Sequence, residues 1–439
     1  MLLTIEKLIY GGDGLARLPA DDRGRGKAVF IPFVLAGEKI EATLRESKRG
    51  FARAHSSAIL EPSPQRISAA CAYFGSCGGC HYQQASYEHQ LEIKKEILQE
   101  NLRRIAKIEL QNEIQTHPSP PWNYRNRSRL QMRTKPEFAL GYFRFGSHEL
   151  FPVDQCPISS PLINRGIAAL WQAGRAGKVV EGVREVEFFA NSDDSRLLVE
   201  WLCTPEAKRA AVRGWAEELC AAMPEIAGVV AFRERQKNVR ELMVTVGASE
   251  LTYQTRRTAY RVSAGAFFQT NRFLIDELID VVTAGVSGEL ALDLYAGVGL
   301  FSTALAGDID HIISVEMSPS AIGDLKYNLP VDGQAVQAEI DEYLTGIRDR
   351  AGNGASLPQV PHQPDFVVVD PPRGGLGERV AHLLAGVGAS RVTYVSCDPA
   401  TLARDLVPLL AAGYRLQEIH LVDLFPQTYH LESVVKLVR

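Results

Sequence analysis

The run LDLYAGVGLF at 292–301 reads as the end of a strand, a glycine turn and the start of a helix. Gly297 and Gly299 let the backbone turn tightly and approach a ligand, while the helix start offers free N–H groups. The complete Gly-x-Gly-x-x-Gly dinucleotide pattern is absent. Asp293 sits at the strand end, suited to an ammonium rather than to a pyrophosphate. Glu316 ends the next strand, 17 residues beyond Gly299, where a carboxylate can accept both ribose hydroxyls. Asp370 opens DPPR (370–373) after the apolar FVVV, beside the same pocket. Together these features favour S-adenosylmethionine over NAD. Taken singly they also admit a helix cap at Asp293 and an ordinary turn at Pro371 and Pro372.

Outward from this run, strands and helices alternate. FLIDELIDVVTAG, LFSTALAG and AIGDLKYNL read as helices, and HIISVEM, DFVVVD and RVTYVSC as strands. Residues 263–439 are therefore expected to form a doubly wound, Rossmann-like α/β domain with ligands at the carboxyl ends of its strands. Residues 63–262 read as a mixed α+β domain, with strand character at 197–202 and helices at 207–222 and 86–105. Residues 1–62 alternate short apolar runs with glycine-rich breaks such as YGGDGLA, as small oligonucleotide-binding barrels do. The helix near 86–106 is expected to pack on the catalytic domain.

Composition narrows the class. The chain of 439 residues is 46% hydrophobic and 23% charged, as soluble globular proteins are. No stretch approaches the roughly 18 apolar residues of a membrane span, and no secretory leader is visible, so a cytoplasmic monomer is expected. The net charge of −4 argues against a generic polyanion binder. Positive charge is nevertheless concentrated in front. Residues 101–145 hold nine basic and three acidic side chains, and residues 1–60 hold ten and seven. Either stretch can track a phosphate backbone or be an ordinary solvated surface. Four of the seven cysteines, Cys71, Cys77, Cys80 and Cys156, lie in turn-rich sequence, which in a reducing compartment points to metal or catalysis rather than disulfides.

TYVSCDPATLARD (393–405) places Cys397 after a strand and ahead of a helix. A helix N-terminus favours thiolate, although a lone cysteine is more commonly buried and inert. A thiolate has a specific use in base methylation. Carbon 5 of uracil is a poor nucleophile, and thiolate addition at carbon 6 converts the ring to an enolate that attacks a sulfonium methyl. A base must then take the carbon-5 proton so that the thiolate can leave. FPQTYHLESVVKL (425–437) offers His430 and Glu432. Glu432 borders an apolar strand, where partial desolvation raises a carboxyl's pKa. The bland readings are a surface carboxylate and a capping histidine. Phe268 and Tyr295 are candidates to stack on a base or on adenine, or to pack in the core.

AFFQTN (266–271), DLYAGVGLFS (293–302), DPPR (370–373), SCDPATLARD (396–405) and HLES (430–433) resemble the RNA (uracil-5-)-methyltransferases over nearly the whole chain. The resemblance implies Cys397 as nucleophile and Glu432 as proton-abstracting base. It implies Gln269, Tyr295, Glu316 and Asp370 around S-adenosylmethionine, with Gly297 and Gly299 shaping the loop. The front segment is similar to a TRAM domain, an RNA-binding barrel. The Cys71-x5-Cys77-x2-Cys80 set with Cys156 is similar to the [4Fe–4S] ligands of the 23S ribosomal-RNA branch; zinc is the alternative for the same residues. The RNA implied is 23S rRNA first and the T-loop of tRNA second. Three positions depart from the family: Asp398 and Asp370 stand where Asn is frequent, and Gln427 where His is. Two rivals are an exocyclic-amine methyltransferase, which needs an aromatic where Arg373 stands, and a non-catalytic RNA-binding protein with the same fold.

Overall fold

A computed structural model describes residues 1–19, 26–236, 239–352 and 363–439. The front unit is a six-stranded sheet in the order Leu2–Thr4, Lys39–Ser47, Phe51–Glu61, Ala28–Pro32, Asp13–Arg17 and Lys7–Leu8. Its first eight residues pair with Lys39–Glu41 at one edge and with Gly14–Leu15 at the other. One short segment thus joins both edges and closes the barrel, around Leu3, Ile5, Val29, Ile31 and Ile40.

The middle unit is a seven-stranded sheet, ordered Leu150–Pro152, Ala139–Phe143, Arg127–Arg133, Val183–Ala190, Leu197–Cys203, Ile226–Gln236 and Val239–Gly247. Helices Pro161–Arg175 and Arg209–Ala222 bury their apolar stripes against it.

The third sheet has eight strands, ordered Gln334–Val336, Ile309–Val315, Gly288–Leu294, Phe366–Val369, Arg391–Ser396, Glu432–Val438, Arg415–Val422 and Gln115–His117. The first five are parallel, and Glu432–Val438 runs antiparallel to both of its neighbours. The chain moves outward from Gly288–Leu294 in one direction and then returns to Phe366–Val369 on the other side. That reversal opens a crevice at the carboxyl ends of these two strands, where doubly wound sheets hold ligands.

The eighth strand corrects the expected boundary. Gln115–His117 lies in the stretch assigned to the central domain, yet it pairs in parallel with His420–Val422 of the catalytic sheet. The helix before it, Tyr87–Asn101, is capped by Ser86 and does lie on the catalytic domain. Its buried face includes Gln90 and Lys94 as well as Ile93, Ile97 and Leu98. Lys94 and Asp423 form an ion pair at 2.6 Å with both side chains fully buried, and Lys94 Nζ also donates to the Phe425 carbonyl. Removing one partner of such a pair leaves a buried charge and costs about 3–5 kcal/mol. Ile105, which the apolar spacing of the 86–105 stretch would put on the buried face, is 41% exposed. The helix widens to π geometry at Leu102–Ala106, which turns later side chains off the stripe.

Candidate active site

Every element of the crevice is fixed by its own backbone. Tyr295 takes a left-handed conformation at φ +65°, strained for a side-chain-bearing residue, as is common where a loop is shaped around a ligand. Gly297 and Gly299 follow at φ +57° and +91°. At φ +91° any side chain on Gly299 would be strained, and its Cβ would stand 2.9 Å from Leu325 Cδ1 and force that side chain to shift. Glu316 accepts from Gly297 N at 2.8 Å and from Ser318 N at 2.6 Å, which pins its carboxylate to the glycine loop.

Asp293 is fully buried. Its Oδ2 accepts from the N–H and hydroxyl of Ser302, which ties the strand end to the first turn of the following helix, whose cap position is Gly299. Its Oδ1 is buried with no hydrogen-bond partner. Burial first, and the Glu316 charge last, push the Asp293 carboxyl up to about 6 despite the bonds from Ser302. Asp370 ends Phe366–Val369 and takes a bond from Gln269 Nε2 at 3.4 Å. Burial, then the charge of Asp293, raise it to about 7.

Cys397 stands at the corner between strand Arg391–Ser396 and helix Pro399–Ala411. Its thiol contradicts the expectation of a lowered pKa. Burial, then the charges of Glu432 and Asp370, push it up to about 12, and Arg373 only partly offsets them. The helix start is already occupied, because Asp398 Oδ1 accepts from both Ala400 N and Thr401 N at 3.0 Å. A carboxylate in that place compensates the dipole that was expected to favour thiolate. Glu432 is buried at the head of its strand, opposite the end of the nucleophile strand through the Ser396–Ser433 pair. Burial and Asp370 hold its carboxyl well above the usual range. His430 goes the other way: burial, then Arg373, push it down to about 2, and Arg373 Nη2 lies 3.2 Å from its Nδ1.

One thiol and three carboxyls, from four strand ends, are thus raised first by burial, and Asp370, Cys397 and Glu432 further by neighbouring carboxylates of the set. A carboxyl whose folded pKa is raised contributes stability that is full below its unfolded value and lost as pH rises through the folded one. Asp370→Asn cannot lose it. The variant's thermal stability relative to the parent should therefore rise between about pH 4 and about pH 7 and level off above that. Melting midpoints across that range give the answer, and a pH-independent difference between the two proteins would rule out a perturbed Asp370.

A family model of tRNA (uracil-5-)-methyltransferases matches residues 86–439, and the TRAM domain model matches residues 1–56. The chain belongs to the tRNA (uracil-5-)-methyltransferase family. It is 32% identical over 438 residues to an uncharacterized RNA methyltransferase of Aquifex aeolicus, covering 99% of this chain and 97% of that one. It is 32% identical over 446 residues to the 23S rRNA (uracil(1939)-C(5))-methyltransferase RlmD of Chromohalobacter salexigens, covering 100% and 89%. The crystal structure of Pyrococcus abyssi tRNA (uracil-54, C5)-methyltransferase, in complex with S-adenosyl-L-homocysteine, superposes over 100% of both chains with a TM-score of 0.74. At 24% identity this establishes a shared fold. As a member of this family the protein is an RNA (uracil-5-)-methyltransferase, which removes the non-catalytic and exocyclic-amine readings.

Within this family member, other expected residues find varied surroundings. Phe268 is core, packed against Tyr253 at 4.7 Å and Phe189 at 6.0 Å, so it cannot stack on a base. Its neighbour Phe267 is 62% exposed, a signal that the alternation of an extended segment could have supplied. Gln427 has φ +69° and exchanges bonds with Gln90, while its carbonyl accepts from His81 N and Tyr82 N. It ties the cysteine loop to the loop carrying Glu432, a backbone role that requires no imidazole.

Cys71, Cys77, Cys80 and Cys156 are free thiols lining one cavity of about 70 Å³ with Arg125 and Tyr142. Burial raises three of them, Cys77 to about 11 and Cys80 to about 12. Among the described residues no group of three or more His, Cys, Asp or Glu is arranged to hold a metal ion. The expected ligand set is therefore present as a shared cavity rather than as a formed ion site.

The basic 101–145 stretch has varied surroundings. Arg127 is buried against Glu187 and Glu200, and Arg129 also pairs with Glu187. Arg104, Lys135 and Arg144 have carboxylate partners as well, and Arg125 lines the cysteine cavity. Only Arg103, Lys107 and Arg133 of the nine lack an acidic partner or a cavity among the described residues. No helix among these residues is long and apolar enough to cross a membrane.

Proposed function

We propose that this enzyme methylates carbon 5 of a uridine in 23S ribosomal RNA, using S-adenosylmethionine and a transient bond from Cys397 Sγ to carbon 6 of the base. The observation that carries the reading is the convergence of a thiol with two carboxyls of raised pKa at adjacent strand ends. Such mutually perturbed groups are the mark of acid–base and nucleophilic chemistry. The relative named for 23S rRNA, similar along the whole chain, favours that RNA.

The crevice suits the methyl donor. Asp293 Oδ1, buried without a partner, is placed to accept from an ammonium. Glu316 would take the ribose hydroxyls, and the backbone at Gly297 and Gly299 leaves room for close approach. Tyr295 and Gln269 would border the same ligand. S-adenosylmethionine supplies, when bound, an electrophilic methyl and a positive charge. Its positive charge, if held near Asp370 and Cys397, would lower both pKa values and favour thiolate.

Chain residues then act in sequence. Cys397 gives up its proton to Asp370, so that Glu432 stays available as the later base, and Sγ bonds to carbon 6 while the π electrons move to carbon 5 and the carbonyl. Carbon 5 takes the methyl as the donor's sulfur–methyl bond breaks, and the sulfonium leaves as a neutral thioether. Glu432 removes the carbon-5 proton, the ring double bond re-forms, and Sγ leaves as thiolate. His430, held neutral, serves to orient Arg373 rather than as the base.

We further propose that the four cysteines hold a [4Fe–4S] cluster. A cavity of about 70 Å³ is several times the roughly 10–15 Å³ that one water-sized group needs, which favours a cluster over a single zinc ion. Thiolates are the expected ligands for such clusters, and binding would displace the protons that burial now holds on the thiols.

Mass-spectrometric mapping of 5-methyluridine in total RNA, with and without the gene, tests the substrate. A missing methyl in 23S rRNA is expected; loss from the tRNA T-loop alone would overturn the assignment. Iron and acid-labile sulfide against zinc in the anaerobically purified protein tests the cluster.

A further inference from the structure

The barrel's glycine turn, YGGDG at 10–14, leaves Gly11 exposed but packs Tyr10 against the core of the catalytic unit. Tyr10 hydroxyl donates to the Cys397 carbonyl at 2.7 Å, across 387 positions of sequence. Its ring meets Tyr429, on the Glu432 loop, edge-on at 5.5 Å. Gly11 and Gly12 hold the turn at φ +107° and +92°. A Cβ on Gly12 would stand 3.1 Å from His81 Cβ, so the close seating of the turn on the cysteine loop depends on glycine.

Other supports of the nucleophile come from its own domain. Ser396 is paired with Ser433 in the sheet, and Asp398 N donates to Ser396 Oγ at 3.2 Å. Tyr10 holds the remaining side of the corner, the carbonyl, and so fixes rotation about the Cα–C bond of Cys397. Burial and the nearby Asp398 and Cys397 push its phenol above the usual value, which keeps it a donor.

We infer that Tyr10 is a positioning residue: its hydroxyl aims Cys397 Sγ, making the TRAM barrel part of the catalytic centre as well as an RNA-binding module. The inference rests on Cys397 being the nucleophile. Attack requires reacting atoms about 3–3.5 Å apart and aligned, and a displacement of about 1 Å can cost 10²-fold in rate.

Tyr10→Phe in the full-length protein keeps the ring against Tyr429 and removes only the O–H. The probe is RNA bearing 5-fluorouridine, whose carbon 5 has no removable proton, so that the Cys397 adduct is trapped. Adduct formation at saturating RNA should slow on the order of tenfold. RNA affinity, melting midpoint and final adduct yield should stay at the parent's values. An unchanged rate overturns the inference. So does weaker RNA binding with an unchanged saturated rate, which would make Tyr10 an RNA contact. A lower final yield with a normal rate would mean lost fold rather than lost aim, and overturns it too. If the parent itself forms no adduct, the nucleophile assignment fails first and the inference falls with it.

Discussion

Cys397→Ser should lower single-turnover methyl transfer by on the order of 10⁴-fold or more, the scale seen when a covalent nucleophile is removed. Serine keeps the shape and the backbone bonds at the corner, including the carbonyl that Tyr10 holds. Its hydroxyl is far harder to ionise than a thiol, and it would face the same carboxyls that push the thiol up to about 12. Without an anion at carbon 6, carbon 5 stays part of the conjugated ring and cannot attack a methyl. Binding of RNA and of S-adenosylmethionine should persist, because neither depends on Sγ. Methyl transfer from radiolabelled donor in a single turnover is the measurement. Retention of more than about a hundredth of the parent rate would defeat the covalent route.

Glu432→Gln should fail at the opposite end of the reaction. The amide is nearly isosteric, so the head of the strand and its pairing across to Ser396–Ser433 should survive. Addition to carbon 6 and methylation of carbon 5 can still proceed, but the carbon-5 proton has no acceptor. Methylated RNA then accumulates bonded to the protein. Turnover should drop by about 10²–10⁴-fold, the usual scale of a lost general base. A denaturing gel with labelled RNA shows the complex as a shifted band. Normal turnover with no band would assign the base elsewhere. Loss of both turnover and band would mean that Glu432 serves the thiol's deprotonation instead.

The catalytic half was legible because its signals are local. The strand–glycine–helix run needs only residues 292–301, and the sheet places their neighbours by rule. Asp293, Asp370, Cys397 and Glu432 lie at the ends of neighbouring strands. Three things escaped sequence reading, each for a physical reason. The direction of the Cys397 shift depends on carboxyls from other strands and on Asp398 occupying the helix start, neither of which a linear motif displays. The ion pairs of Arg127 and Arg129 were not visible in the basic stretch because their partner Glu187 lies across a strand pair. Lys94 sits on an otherwise ordinary amphipathic helix, and its partner Asp423 comes 329 positions later. Long-range pairing of this kind leaves no periodicity to read.

The edge strand Gln115–His117 has a bearing on how this protein can be taken apart. A fragment cut at residue 263 would keep every motif that marks the methyltransferase. It would also bare the backbone of Arg415–Val422 as an open template for other chains, and leave Asp423 sealed inside without its cation. The catalytic half is therefore no portable cassette. Truncation or domain shuffling would have to carry residues 87–117 along with it.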